Sequence, residues 1–480
     1  MIYDLLIVGY GPVGATLAGL AVQHGLSVVV VERALDIHPL PRAAHCDDEV
    51  LRILQTVGCA DSIVAGVVVN QGMDFLDAER EVLFGFRTHG TAPSGWPSSV
   101  LFHQPSFEGE LRRHVSTTEA EIRLGVAVES VVECADRVEV GLADGSMLSA
   151  RFVVGCDGAR STVRRSIDVA MHDLEFEEPW LVVDVVLRSP SARLPERVWQ
   201  VCDPARPVTI VPMPAPRHRF EFMLLPGETP DDFTDERIVE LMGPWVDVDT
   251  VEIERSAVYT FHGLIAEQWR RGRVLLAGDA AHQMPPFLGQ GMCSGMRDAA
   301  NLAWKIAAVV HDGADDTLLD SYQSERAPHV RSIVDLAIFF GRIICTTDPA
   351  VAAERDATIR RTGGADAQPP TPGLGAGPGI VGGGGGYSAQ PMLDGVRLDD
   401  LVGPRFCLIT STPISADDPL RSWWGERAVL LDAQRHEALL PLLGGASAVL
   451  IRPDRYVFGT GSAEDLTRSA AAWLGGALRP

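Results

Sequence analysis

The chain has 480 residues, of which 46% are apolar, and a formal charge of −23, enough length for two or three domains around a sizeable core. The negative charge excludes a nucleic-acid backbone as a natural partner, because phosphates would be repelled; its ordinary meaning is a solvated acidic surface. The eight cysteines, at 46, 59, 134, 156, 202, 293, 345 and 407, contain no Cys-x-x-Cys pair, which argues against a zinc site or a dithiol motif and suits a reducing compartment.

The opening Met1-Ile2-Tyr3-Asp4 has no basic region, and the apolar run after it is broken by glycines, so neither a signal peptide nor a membrane anchor is expected and the cytoplasm is the expected location. Residues 5–8 are an apolar run, 15–24 recur at helical spacing, and 26–31 form a β-branched run ending in Glu32. This order predicts the strand–turn–helix–strand start of a doubly wound α/β sheet. Residues 79–99 read as irregular, 106–115 as a helix, and 127–133 with 137–142 as a β meander. A strand-rich, proline-punctuated region spans about 180–261; then 273–277 predict a buried strand, and 296–310 and 318–341 long helices. The Gly/Pro-dense stretch 363–386 reads as a flexible connector, followed by strands at 406–410, 428–431 and 448–451 and a helix over 463–474.

Three motifs carry the chemistry. In Gly9-Tyr10-Gly11-Pro12-Val13-Gly14, Gly9 permits a tight turn, Gly11 lets a pyrophosphate approach the backbone, and Gly14 lets helix and strand pack closely. The helix N-terminus adds partial positive charge, and Glu32 can accept hydrogen bonds from a ribose. The second motif is Gly155-Cys156-Asp157-Gly158-Ala159-Arg160-Ser161-Thr162-Val163-Arg164, by composition alone an Asp-Gly turn before a basic helix start. The third runs from Arg273 through Gly278-Asp279-Ala280-Ala281-His282 to Pro285-Pro286-Phe287-Leu288-Gly289-Gln290-Gly291-Met292: a strand end bearing a carboxylate, a Gly/Pro loop, and a helix pointing its N-terminus back, with Asp298 and Asn301 in its first turns. Such a loop can bring backbone N–H groups to a flat anionic ring.

In this order and spacing the three motifs resemble the class A flavoprotein aromatic hydroxylases, of the para-hydroxybenzoate hydroxylase fold, over about residues 1–350. The second matches their DGxxSxxR motif at Asp157, Gly158, Ser161 and Arg164, and Pro41-Arg42-Ala43 and Gln104 match flavin-contacting positions. The stretches 45–52, 223–228 and 283–292 are similar to the 3-(3-hydroxyphenyl)propionate hydroxylase subgroup. The resemblance implies a Rossmann-like, glutathione reductase-like FAD-binding domain (1–175 and 262–361, with 76–101 on the substrate side), an interleaved β-rich substrate domain (176–261), a linker (362–392) and a thioredoxin-like domain (393–480) whose lone Cys407 has no redox partner.

It further implies that FAD is reduced by NADH or NADPH and reacts with O₂ to give a C4a-hydroperoxyflavin that hydroxylates a small phenol resembling 3-(3-hydroxyphenyl)propionate. Phosphate and ribose contacts then fall to Gly9, Gly11, Pro12, Val13, Gly14, Glu32, Arg33 and Arg42, and ribitol contacts to Gln104, Gly278 and Asp279. Asp157 and Arg164 would couple the flavin and nicotinamide sites, and Pro286, Gly289, Gln290, Gly291 and Met292 would border the ring. No catalytic base is assigned; His45, Asp48, Tyr259 and His262 are candidates, each weighed against an ordinary buried hydrogen-bonding role. Arg219 could hold a carboxylate tail, and His282 is expected to fix its loop. No metal, nucleic-acid or membrane partner is expected, and a homodimer is left open. Competing readings are a tailoring hydroxylase of a polycyclic polyketide or antibiotic, a halogenase or prenyl reductase, and a non-catalytic nucleotide-fold carrier.

Overall fold

The computed structural model describes residues 1–39, 42–88, 90–189, 194–363 and 372–475. In chain order the elements that place the site are β1 (Ile2–Val8), α1 (Pro12–Gln23), β2 (Val28–Glu32), α2 (Asp48–Val57), β3 (Met147–Gly155), α3 (Thr162–Ser166), β4 (Met171–Leu187), β5 (Val198–Val201), β6 (Val208–Pro212), β7 (Arg217–Met223), β8 (Val251–Ala266), β9 (Val274–Leu276), α4 (Gly291–His311) and α5 (Asp320–Ile344).

The first sheet has β1 at its centre, parallel to β2 on one side and β3 on the other, with β9 parallel to β3. These strands are apolar nearly throughout, as a sheet covered on both faces requires. Their register is level: Val8 lies opposite Val31 and Gly155, and Gly155 opposite Leu276. Three successive parallel strands therefore end at one edge, and the loops that leave them emerge together.

The second sheet is built on the long antiparallel pair β4 and β8 and continues through β7, β6 and β5 to Gly72–Leu76 and Val82–Arg87. The last strand lies inside the interval expected to be irregular. Gly85 masked it by breaking the alternation; it sits opposite Asp74, and a Cβ there would come within 2.6 Å of the Arg87 guanidinium that pairs with Asp74 at 2.6 Å.

Towards the C-terminus lie β10 (Phe406–Thr410), β11 (Ala428–Asp432), β12 (Ala448–Ile451), β13 (Val457–Gly461) and α6 (Ala463–Trp473), in sheet order β11-β10-β12-β13. The interval 363–386 was expected to be a flexible connector; residues 364–371 lie outside the described residues, but the rest is strapped down. Gly375 N–H donates to Glu325 O (2.8 Å), Val381 N–H to Phe458 O (2.8 Å) and Gly385 N–H to Val457 O (2.8 Å). Its glycines serve close approach: a Cβ on Gly384 would stand 2.2 Å from Phe458 O.

The C-terminal unit is joined to the rest through buried charges. Arg52 of α2 donates to both Asp399 oxygens (2.6 and 2.9 Å) and to the Ser388 carbonyl, and Arg452 donates to Glu325 of α5 (2.8 Å). Among the described residues no single helix is long and apolar enough to cross a membrane. Removing one partner of a buried ion pair strands the other charge. Arg455, 3.1 Å from Asp399, keeps that carboxylate partly paired, so Arg52→Met should destabilise the protein by about 3 kcal/mol, read as a fall in the denaturant midpoint; an unchanged midpoint would mean that Arg455 compensates Asp399 in full.

Candidate functional site

The three loops leaving β1, β3 and β9 open onto one cavity of about 450 Å³, whose opposite wall is the face of the second sheet. Ligands of parallel sheets bind beyond the carboxyl ends of the strands, which is where this cavity begins.

Gly9 sits at φ +100°, a turn that an L side chain rarely adopts, and a Cβ there would also meet Cys156 O at 2.5 Å. A Cβ on Gly14 would stand 2.0 Å from Gly9 O, so the helix packs against its own loop. At Gly11 a Cβ meets nothing within 4 Å, and Gly11, Pro12 and Val13 line the cavity at the N-terminus of α1. This is open space beside unpaired helical N–H groups, the arrangement that accepts a phosphate. Glu32 holds the same loop, accepting from Tyr10 N–H (2.8 Å) and Ala34 N–H (2.9 Å), while Arg33 is exposed; neither lines the cavity.

Further along, Arg42 and Gln104 line the wall, and Gln104 Oε1 accepts from the Arg42 and Ala43 N–H groups (2.7 and 2.8 Å). Pro41, of the same motif, lies outside the described residues. Asp279 lines the cavity, and its carboxylate has no hydrogen-bond or ion-pair partner among the described residues, so it is available to hydroxyl groups of a ligand. Pro286, Gly289, Gly291 and Met292 border the next portion, at the N-terminus of α4, while Gln290 turns away. A dinucleotide with phosphates at Gly11, hydroxyls near Asp279 and a flat ring near Gly289 fits this donor set.

Asp157 and Arg164 are not on the cavity wall. Asp157 caps α3, accepting from Thr162 N–H (2.6 Å), Val163 N–H (3.1 Å) and the Ser161 hydroxyl (2.5 Å). Arg164 donates to Ala159 O and Ala280 O, both at 2.9 Å, clamping the second motif's loop to the third's. Gly278, at φ +61°, shapes the turn that presents Asp279. His282 Nε2–H donates to the buried Asp298 carboxylate at 2.7 Å, and Asp298 also accepts from Gly278 N–H and Arg326, which ties His282 to the turn of the third motif.

Of the four candidate proton-active residues, His45, Tyr259 and His262 line the cavity and Asp48 does not. The Asp48 carboxyl is pushed up to about 6 by burial and by the neighbouring Asp47. His45 is committed on both sides. Its Nδ1 reaches Gly289 O (3.2 Å), which can only accept, so Nδ1 carries the proton; Nε2 then accepts from the Ser99 hydroxyl (2.8 Å), itself bonded by Asn70 (3.0 Å). Burial lowers the His45 pKa, consistent with this neutral ring. Tyr259 accepts from Arg255 at 3.0 Å, which leaves its own proton free to donate. The His262 ring has no hydrogen-bond partner among the described residues.

The sequence did not single out the far wall. Gln200, Thr209 and Glu221 line it in one cross-strand row, Gln200 opposite Thr209 and Thr209 opposite Glu221, and the Thr209 hydroxyl donates to Gln200 Oε1 (2.6 Å). The available signal was Gln200 and Thr209, each a polar residue inside an apolar strand and so in need of a reason to be buried; Glu221, in the charged strand β7, carried none. Burial raises the Glu221 pKa. Arg219 also lines this wall, but its guanidinium donates to Asp184 (2.7 and 3.2 Å) and to Arg42 O (2.9 Å). Burial would push Asp184 up, but Arg219 and Arg255 beside it hold its carboxyl below the usual range. Phe261 and Phe287 add an apolar clamp, their rings edge-on at 6.2 Å.

Against known proteins, the family model described as "FAD binding domain" matches residues 3–337. A probable NADH-specific resorcinol 4-hydroxylase of Rhodococcus jostii (strain RHA1) is 43% identical over 363 residues, 74% of this chain and 68% of the relative. A 3-(3-hydroxy-phenyl)propionate/3-hydroxycinnamic acid hydroxylase of Mycolicibacterium gilvum (strain PYR-GCK) is 40% identical over 363 residues; the match takes in 74% of this chain but only 63% of that relative, less than two thirds of its length. Among solved structures, aklavinone-11 hydroxylase in complex with FAD and aklavinone superposes with a TM-score of 0.82 at 25% identity, covering 98% of this chain and 99% of the other. The chain belongs to the FAD-binding domain family of flavoproteins.

Proposed function

We propose that the protein is an FAD-dependent monooxygenase that hydroxylates a phenolic ring, with NADH as reductant. The observation that carries this reading is a single cavity bordered on one side by the loops of the FAD-binding fold and on the other by a polar, aromatic-lined sheet face. NADH as the reductant is supported by the "NADH-specific" relative. One oxygen atom of O₂ enters the ring and the other leaves as water, with two electrons from NADH.

The pyrophosphate and ribose are assigned to the loop of Gly9, Gly11, Pro12, Val13 and Gly14 and to Arg42, with Glu32 holding that loop and Arg33 beside it off the cavity wall; the ribityl chain goes to Gln104, Gly278 and Asp279, and the ring border to Pro286, Gly289, Gly291 and Met292, with Gln290 bracing that border from behind. Bound FAD supplies the activated oxygen. The chain's own residues do the rest. Phe261 and Phe287 hold the substrate ring by its faces and edges and keep water away, aided by Val182, Val198 and Val211. Tyr259 donates a hydrogen bond to the substrate hydroxyl, and the unpartnered His262 accepts its proton, raising electron density in the ring. Asp157 and Arg164 act by fixing the loops on either side of the cofactor.

The substrate favoured by the relatives is a small meta-substituted phenol such as resorcinol or 3-(3-hydroxyphenyl)propionate. The full-length likeness to a polyketide hydroxylase favours a second reading, a polycyclic phenol reaching the row of Gln200, Thr209 and Glu221. The division into an FAD domain (1–175 and 262–361), a substrate domain (176–261), a connecting stretch (362–392) and a thioredoxin-like unit (393–480) belongs to the same proposal. The last is supported by the order β11-β10-β12-β13, with β10 and β11 parallel and the other pairs antiparallel, closed by α6. Its Cys407 thiol is buried and pushed up to about 12 by that burial, unsuited to redox exchange.

Three measurements test the proposal. Gly11→Val should abolish FAD retention by filling the open space at the α1 N-terminus; full occupancy would sink the assignment. His262→Gln should lower kcat about 10²-fold or more with FAD content unchanged, the loss typical of a missing proton acceptor; normal turnover would remove His262 from the chemistry. In a panel of resorcinol, 3-(3-hydroxyphenyl)propionate, its deoxy analogue and a polycyclic phenol, hydroxylated product should form only from ring-hydroxylated compounds, the deoxy analogue yielding peroxide at most. Product from the polycyclic phenol alone would select the second reading, and no product from any would reject the first two.

A further inference from the structure

The residues bordering the proposed ring site, Gly289, Gly291 and Met292, flank Gln290, whose side chain points away from the cavity into a buried polar chain. Gln290 Nε2 donates to Asp47 Oδ2 at 3.0 Å, and Gln290 Oε1 accepts from Arg297 at 3.1 Å. Arg297, only 4% exposed, donates also to Asp47 (2.5 Å) and through Nε to Glu49 Oε2 (2.6 Å). The second oxygen of Glu49 accepts from the Tyr456 hydroxyl at 2.5 Å. Tyr456 comes from the C-terminal unit, more than 400 residues along the chain from Glu49, and is buried.

The chain thus runs Tyr456–Glu49–Arg297–Gln290, with Asp47 bracing Arg297 and capping α2 through Val50 N–H. Tyr456, Glu49 and Arg297 are buried, and Asp47 and Gln290 partly so; away from water a hydrogen bond to a charged group is strong and an unmade one costly. We infer that Tyr456 is a positioning residue through which the C-terminal unit sets the loop 289–292 against the flavin. This rests on the reading that the FAD ring lies beside that loop. Without the hydroxyl, Glu49 Oε1 is left unpartnered, and the movement that re-satisfies it turns Arg297 away from Gln290.

The test uses the full chain as holoprotein and as apoprotein reconstituted with FAD. Tyr456→Phe and Gln290→Ala should each raise the FAD dissociation constant several-fold, up to about tenfold, and shift the visible absorption of bound flavin. The double variant should be no worse than the more affected single one, since both cut one chain. The control is Tyr387→Phe, which removes a buried hydroxyl that has no hydrogen-bond partner, from a ring 5.1 Å from that of Tyr456. It should leave dissociation constant and spectrum unchanged. If Tyr456→Phe matches Tyr387→Phe in both readouts while Gln290→Ala alters them, the inference is overturned, even if Tyr456→Phe melts earlier. If Gln290→Ala alters neither, or the wild-type chain binds no FAD, the placement of the ring fails and the inference fails with it.

Discussion

The level register of β1, β3 and β9 is the constraint on which the site depends. Because Val8, Gly155 and Leu276 end side by side, three loops separated by more than a hundred residues each are delivered to one edge. No hydrogen bond between the loops is needed to bring them there; the Arg164 clamp on Ala159 and Ala280 only trims a proximity the strands have already imposed. A slip of one parallel strand by two residues, the smallest that keeps its faces, would move its loop about 7 Å along the strand axis and dismantle the cavity mouth. The buried apolar runs at the ends of these strands make such a slip costly.

The second sheet answers to a different requirement. It must show a ligand-binding face while keeping its charges balanced. Asp184 set between Arg219 and Arg255 does this: two guanidinium groups are neutralised in part by one carboxylate, with Glu221 3.7 Å from Arg219 as a further acidic partner. The arginine expected to grip a substrate tail is thereby spoken for inside the wall by Asp184 and the Arg42 carbonyl.

Much of this was legible in the sequence, because it rests on short-range patterns. Gly9, Gly11 and Gly14 announced a turn, an opening and a close contact, and the backbone has each of them where the spacing put it. The runs at 5–8, 273–277 and 406–410 were recognisable as buried strands. What escaped was set by distant partners. Gly85 hid a strand because its reason for being glycine is the Asp74–Arg87 pair across the hairpin. The glycines of 372–386 suggested slack, whereas their lack of side chains lets the backbone lie against β13 and α5. His45 resembled a candidate base until both of its ring nitrogens proved to be occupied, and Glu221 gave no local sign that its strand would border a cavity.

The seam between the C-terminal unit and the rest has a consequence for exchanging parts between relatives. Part of it is apolar, with Trp304 of α4 packed against Phe406 and Trp473, but shape alone does not complete it. Asp399 must meet Arg52, Arg452 must meet Glu325, and Tyr456 must meet Glu49, each in the absence of water. A chimera that takes the last ninety or so residues from another hydroxylase inherits one half of every pair. It would be viable only if the donor carried matching charges at all three places, so the unit is heritable as a module only together with α2 and α5.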